Sequence, residues 1–471
     1  MGNDYLHGLD RAHLVHPVVS WSSHEQQGAT ILESGSGAYL RDSEGRQYLD
    51  GFSGLWCVNI GYGHDSVVEA ATRQMRQLPY ATGYFHYSSE PSIRFAEAIA
   101  RRTPGDLDHV YFTLGGSDAI DSAVRFIRYY HNVTGAPQRK HFIALERGYH
   151  GSSSTGSGLT ALPLFHDHFD GPSAFQHHIP SYYPYRNPVG PSEEAIIAES
   201  VRALRATVER LGAENVAAFF CEPIQGSGGI IVPPRGWLKA MHQVCREYGI
   251  LLVVDEVITG FGRTGPLFAL EEEGVVPDLM TMAKGLTSGY APLGAVVLSE
   301  RVYRGIADNA PAGKPVGHGF TYSGHPVSCA VGLEVLRLYE EGGLLANGQR
   351  VGDYFQQRLA ELVEHPLVGE SRGRGLLGAV ELVTDKTRKT KFDSSLRLPD
   401  RLLTLGRERG LIFRAFADDI IGFAPPLCCS HADIDLLIER LSSTLDAVLE
   451  KPDVRAALRQ PVSGKRSVQA S

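Results

Sequence analysis

No apolar run in this 471-residue chain approaches the roughly 20 residues of a membrane-spanning helix, so no membrane partner is expected. Cysteine is sparse and scattered. Cys57, Cys221, Cys245, Cys329, Cys428 and Cys429 form no CxxC pair, and the adjacent Cys428 and Cys429 do not suggest a zinc site. Reduced thiols in a cytoplasmic protein are expected from that usage. Positive charge is outnumbered: 45 Lys and Arg against 53 Asp and Glu give a formal net charge of −8. With no concentrated basic run, nucleic acid is not an expected partner. Met1-Gly2-Asn3-Asp4-Tyr5-Leu6 has no basic stretch leading into an apolar core, so no secretory signal is expected, and Leu6 stands where a myristoylation pattern needs Ser or Thr. Neither a GxSxG nucleophile elbow nor a Walker lysine is present.

What the chain does have is a buried-strand pattern ending in chemistry. Leu251-Leu252-Val253-Val254-Asp255-Glu256-Val257 reads as a strand covered on both faces and tipped by an acid. Lys284 follows 29 residues after Asp255, between the apolar run Leu279 to Ala283 and a glycine. In open α/β sheets ligands gather outside the carboxyl ends of strands. One carboxylate and one amine delivered there suit pyridoxal phosphate, which needs a covalent lysine and an acid for its ring nitrogen. A structural Asp and a surface Lys are the bland alternative.

Strand-like runs at 109–113, 142–145, 216–221, 250–255, 279–283 and 294–298 alternate with helix-like segments such as 118–132 and 236–248, which predicts a mainly parallel α/β sheet. Gly37 to Asp50 reads as a hairpin. Beyond about 330, Leu376 to Leu382 and Ile420 to Ala424 suggest a smaller α+β domain assembled from both chain ends. The expected division is 1–60 and 331–460 for that domain, 61–330 for a large cofactor-binding domain, and 461–471 for a disordered tail.

Leu114-Gly115-Gly116-Ser117-Asp118 follows a strand and opens a helix, where bare amides attract phosphate, although a plain capped helix reads equally well. Glu222-Pro223 with Gly226, and Gly148-Tyr149-His150-Gly151, also end strands; Tyr149 can lie flat on a ring or be ordinary core. Two patterns carry less. Gly260 to Gly265 spells GxGxxG but is displaced from its strand, with no clear helix start. His166-Asp167-His168 and His177-His178 lack ordered ligand spacing, so surface or structural histidines and no metal are expected.

Taken in order, Leu55-Trp56-Cys57-Val58-Asn59-Ile60-Gly61-Tyr62-Gly63-His64, the Gly115-Gly116-Ser117 turn, Gly148 to Gly151, Glu222-Pro223, Asp255-Glu256-Val257 with Gly260 to Arg263, and Ala283-Lys284-Gly285 resemble the class III aminotransferases over about residues 16 to 450, and the ω-transaminases most. The resemblance implies a fold type I α/β enzyme with a mainly parallel seven-stranded sheet and a smaller α+β domain. It implies pyridoxal 5′-phosphate as cofactor and a homodimer, or a tetramer, with the active site at the interface. Lys284 would be the covalent lysine and proton carrier, and Asp255 would keep the ring nitrogen protonated. Gly116, Ser117 and Thr321 of the partner subunit would bind phosphate, Tyr149 and Val257 would cover the ring faces, Glu222 would orient Asp255 or its neighbours, and His150 would also bind the cofactor. Trp56, Phe85, Ser152 and Ser227 would line the substrate pocket, and Arg414 would grip an acceptor carboxylate and swing away for an amine. The segment Ser117-Asp118-Ala119-Ile120-Asp121 departs from the family's usual Ser-Glu-Ala-Asn/Val.

The implied reaction moves an amino group from an amine or ω-amino acid to pyruvate or another 2-oxo acid by a ping-pong cycle. A class III aminomutase or decarboxylase shares every cofactor motif. A nicotinamide-dependent dehydrogenase, suggested only by the GxGxxG spelling, and a cofactor-free binding protein are the alternatives from other classes.

Overall fold

The computed structural model describes residues 2–459; the tail expected at 461–471 lies outside the described residues. Seven strands make the central sheet: β1 (Leu107–Thr113), β2 (His141–Leu145), β3 (Gln176–Ile179), β4 (Val216–Cys221), β5 (Leu251–Asp255), β6 (Leu279–Met282) and β7 (Gly294–Ser299). Their spatial order is β1-β7-β6-β5-β4-β2-β3. Strands β2 to β6 pair in parallel, and only β7 runs against its neighbours β6 and β1.

Burial on both faces explains the continuous apolar spelling of β4 to β7. Successive side chains alternate between two cores. Phe220, Leu251 and Val253 pack with Ile120, Ala123 and Ile127 of helix α1 (Gly116–Val133). Phe219, Cys221, Leu252 and Val254 share the other core with Leu238, Met241 and Val244 of helix α2 (Trp237–Tyr248).

Strand β3 is the element that the polar spelling around His177 and His178 hides. It adds to β2 in parallel, and its histidines are structural: His177 Nε2 lies 2.8 Å from His141 Nδ1, and His178 Nε2 lies 3.1 Å from the Leu159 carbonyl. Burial pushes the His178 imidazole down to about 4.

The hairpin expected over 37–50 forms as Tyr39–Asp42 and Gln47–Asp50, flanked by Leu32–Ser36. Leu411–Ile412 joins that sheet alongside Leu49 and Asp50, so segments from both chain ends share it. A second four-stranded sheet comprises Val368–Arg374, Leu377–Leu382, Ile420–Phe423 and Arg414–Phe416. No helix starts at the GxGxxG spelling. Its Arg263 is fully buried and donates to the carbonyls of Leu376 (3.1 Å) and Pro425 (2.6 Å), to Ser53 Oγ (3.2 Å) and to Asn59 Oδ1 (2.8 Å). The residue clamps the two chain ends to the loop after β5. Among the described residues no helix is long and apolar enough to cross a membrane.

Candidate active site

A cleft opens at the carboxyl edge of the central sheet, where this topology gathers ligands. Helix α1 and the turn after β2 contribute Gly116, Ser117, Tyr149 and His150 to its wall. Glu222 after β4, Asp255 and Val257 at the end of β5, and Lys284 after β6 face the same space. Residues spread over 169 positions of chain thus converge, from Gly116 to Lys284 inclusive.

Asp255 is buried and held at both oxygens. Its Oδ1 accepts from the Val257 N–H at 3.0 Å, and its Oδ2 lies 2.9 Å from His150 Nδ1. Burial alone would push the His150 imidazole down, but the hydrogen bond to Asp255 and the charges of Asp255 and Glu222 outweigh it and raise the pKa. His150 Nε2 is buried without a hydrogen-bond partner among the described residues. Glu222 accepts from the N–H groups of Tyr149 and Gly226, both at 2.9 Å, and so ties two wall turns together; among the described residues no hydrogen bond joins it to Asp255. Burial pushes its carboxyl up to about 7, with the neighbouring His150 opposing.

Lys284 takes φ +45° directly after β6, a left-handed backbone that an L-residue adopts only when its surroundings demand it. The side chain keeps contact with the cleft while the protein packed around it pushes its ammonium down; Asp255 partly opposes that shift. A lysine so placed is closer to the free amine that nucleophilic chemistry needs.

The first turn of α1 is open in a way that suits an anion. Its N-cap is Gly115, which offers no side-chain cap, so the leading amides are free for a ligand. A Cβ on Gly116 would meet Val257 Cγ1 at 3.0 Å, and one on Gly151, at φ +103°, would meet Ser117 Oγ at 2.6 Å. Ser117 Oγ accepts from the Ser152 N–H at 3.2 Å. The departing residue Asp121 also acts here: its Oδ1 accepts from Ser153 Oγ (2.7 Å) and the Gly156 N–H (2.9 Å), pinning the loop after Gly151 onto α1. That contact spans a tertiary gap and had no signal in the sequence.

The expected substrate residues lie around the cleft rather than in its wall. Trp56 is buried, edge-on to Phe52 at 4.7 Å, in a cluster that includes Phe416 and Ile258. Ile258 and Ile120 do line the cleft, and sequence reading missed both because each reads as ordinary core. Ser227 is half-buried in the turn that Glu222 ties down. Arg414 begins the strand Arg414–Phe416, and its guanidinium sits 5.6 Å from the Phe416 ring. Phe85 and Thr321 are exposed and off the cleft within one chain.

The donor set fits pyridoxal phosphate: glycines open a cradle at an uncapped helix start, a buried carboxylate is held from both sides, and a lysine is pushed toward its free amine. Known proteins agree. The family model described as aminotransferase class-III matches residues 21–445. A putrescine–pyruvate aminotransferase of Pseudomonas aeruginosa is 41% identical over 446 residues, covering 93% of this chain and 95% of that one. An (S)-enantioselective ω-transaminase of Thermomicrobium roseum superposes with a TM-score of 0.93 at 42% identity, covering 96% of this chain and 100% of that one. An ω-transaminase of Pseudomonas jessenii solved with PMP gives 0.92 at 36%, covering 94% and 98%. With fold, cleft and relatives in accord, this chain belongs to the class III aminotransferases, enzymes of fold type I that use pyridoxal phosphate to move an amino group from a donor to a keto acid.

Proposed function

We propose that the enzyme takes its amino group from a terminal amine or ω-amino acid and gives it to pyruvate. The observation that carries this reading is Arg414. Its side chain has neither an ion pair nor a hydrogen bond among the described residues, yet it stacks on Phe416 and lies within electrostatic reach of Tyr149 in the cleft wall. It keeps an open solvent face, while the protein around its head pushes its guanidinium down. A planar cation without a carboxylate of its own suits the carboxylate of a 2-oxo acid. The putrescine–pyruvate relative supports the same donor and acceptor classes.

When bound, pyridoxal phosphate supplies an aldehyde for the donor amine and a ring that takes up the electron pair released at the substrate carbon. The chain's residues do the rest. Gly116, Ser117 and the free amides of α1 would hold the phosphate. Lys284 Nζ would anchor the cofactor covalently, then remove a proton from the substrate and return it. Asp255 would pair with the ring nitrogen, and His150 Nδ1 and the Val257 N–H fix the orientation of its carboxylate. Tyr149 and Val257 would cover the ring, and Trp56, Ser152 and Ser227 would shape the entrance above it.

Asp255→Asn keeps the shape but removes the charge. A charge-assisted hydrogen bond contributes about 1.5–3 kcal/mol, which corresponds to at least about tenfold in turnover. Steady-state alanine formation measures it, and near wild-type turnover would mean that the acid is structural.

The assembly is read as a homodimer in which Phe85 and Thr321 of the partner subunit complete each site. Support comes from the face that carries them. Phe85 is 82% exposed beside Tyr84, and Tyr80 donates to the Thr321 carbonyl at 2.9 Å next to exposed Tyr322. A contiguous aromatic patch of this kind marks an interaction surface. Domain boundaries are placed near residues 60 and 330. Six free cysteines suit a reducing compartment, and the enzyme is read as cytoplasmic.

A donor panel tests the substrate reading. Putrescine, β-alanine, taurine and an arylalkylamine, each with pyruvate, should yield alanine from at least one donor. Alanine from none of them, with turnover on an α-amino acid instead, would overturn it.

A further inference from the structure

Away from the cleft, the first helix (Gly2–His13), the turn after it and the second helix (Trp21–Gln27) bring three ligating side chains together. Asp10 Oδ1 lies 2.8 Å from His16 Nε2, and Asp10 Oδ2 lies 3.2 Å from His24 Nε2. The two imidazole centroids are 4.3 Å apart, and all three ligating atoms lie within 4.8 Å of one another. His24 is only 9% exposed. Its Nε2 and Asp10 Oδ2 approach each other, yet both are buried with no hydrogen-bond partner among the described residues, so the contact is close but not aligned as a hydrogen bond. A buried nitrogen and a buried carboxylate oxygen left that way are unfavourable unless something else satisfies both.

We propose that Asp10, His16 and His24 bind one divalent transition-metal ion of the zinc class. Two imidazole nitrogens and a carboxylate oxygen are its preferred ligands, and three protein ligands leave a position for water. Each imidazole nitrogen lies within 3.2 Å of one Asp10 oxygen, a donor spacing that suits atoms sharing one ion at the roughly 2.0–2.2 Å bonds that zinc makes. The sequence reading expected no metal on the spacing of the histidines at 166–168 and 177–178 alone; Asp10, His16 and His24 come together only when two helices and a turn fold. None of the three lines the cleft, so the ion clamps the N-terminal segment and takes no part in amino transfer.

Cofactor-loaded enzyme, stripped with a chelator and returned to chelator-free buffer, is titrated with Zn2+ by calorimetry. His24→Gln and Asp10→Asn are run beside it, with His177→Gln as a control for the separate His141–His177 pair. Loss of an outer partner of a ligand alone costs about 10–100-fold in affinity, so losing a ligand should weaken binding at least tenfold. The expected result is one saturable site per chain in wild type and control, weakened in both ligand variants, with turnover unchanged. No saturable binding in wild type, or equal affinity in the ligand variants, overturns the proposal. Crystals of the wild type soaked in Zn2+ test it independently of how the variants fold: an anomalous peak among the three side chains supports the site, and its absence there overturns it.

Discussion

Lys284→Ala should cost at least about 10²–10⁴-fold in turnover, the span that one positioned acid–base group contributes, because in the proposed mechanism the same residue also anchors the cofactor. The variant should still hold pyridoxal phosphate through the cradle at Gly116 and Ser117 and the free start of α1. Borohydride reduction followed by peptide mass mapping checks the assignment directly. Wild type should carry the pyridoxyl group on Lys284, and the variant should carry none. The physical basis is the position of Lys284 at a strand end in a left-handed backbone, with surrounding protein lowering its pKa. A label on any other lysine would sink the assignment.

Arg414→Ala should separate the two substrates. On the proposed reading the half-reaction with pyruvate needs the guanidinium, whereas the half-reaction with a simple amine does not. Removing one partner of a desolvated charge pair typically costs about 2–5 kcal/mol, which appears as a lower kcat/KM for the acceptor. A surface arginine of no functional consequence would cost under about 1 kcal/mol and affect both halves alike. Stopped-flow spectra of each half-reaction measure the ratio. Equal slowing would place the acceptor carboxylate elsewhere.

Much of the site was legible because polar residues end apolar strands. Asp255, Glu222 and Lys284 each terminate a run that only a two-sided core explains, and the sheet brings those ends together. Tertiary pairings were not legible. The contact between His150 and Asp255 bridges 105 positions, and that between Asp121 and Gly156 bridges 35. No local pattern announces either. Strand β3 was hidden because its half-buried histidines satisfy their ring nitrogens internally, which lets polar residues occupy a sheet position. Phe85 and Thr321 could be named only through the family resemblance, since neither reaches the cleft of its own chain.

That one cleft runs two separable half-reactions is tested most directly by single-turnover stoichiometry. Enzyme carrying the aldehyde form of the cofactor is mixed with an active donor amine and no acceptor. The aldehyde absorbance should disappear with release of one carbonyl product per site. Pyruvate added afterwards should restore that absorbance and release one alanine per site. Turnover of the amine compound without any keto acid, giving carbon dioxide or a rearranged amino acid, would contradict amino transfer and point to the decarboxylase or aminomutase chemistry that shares these motifs.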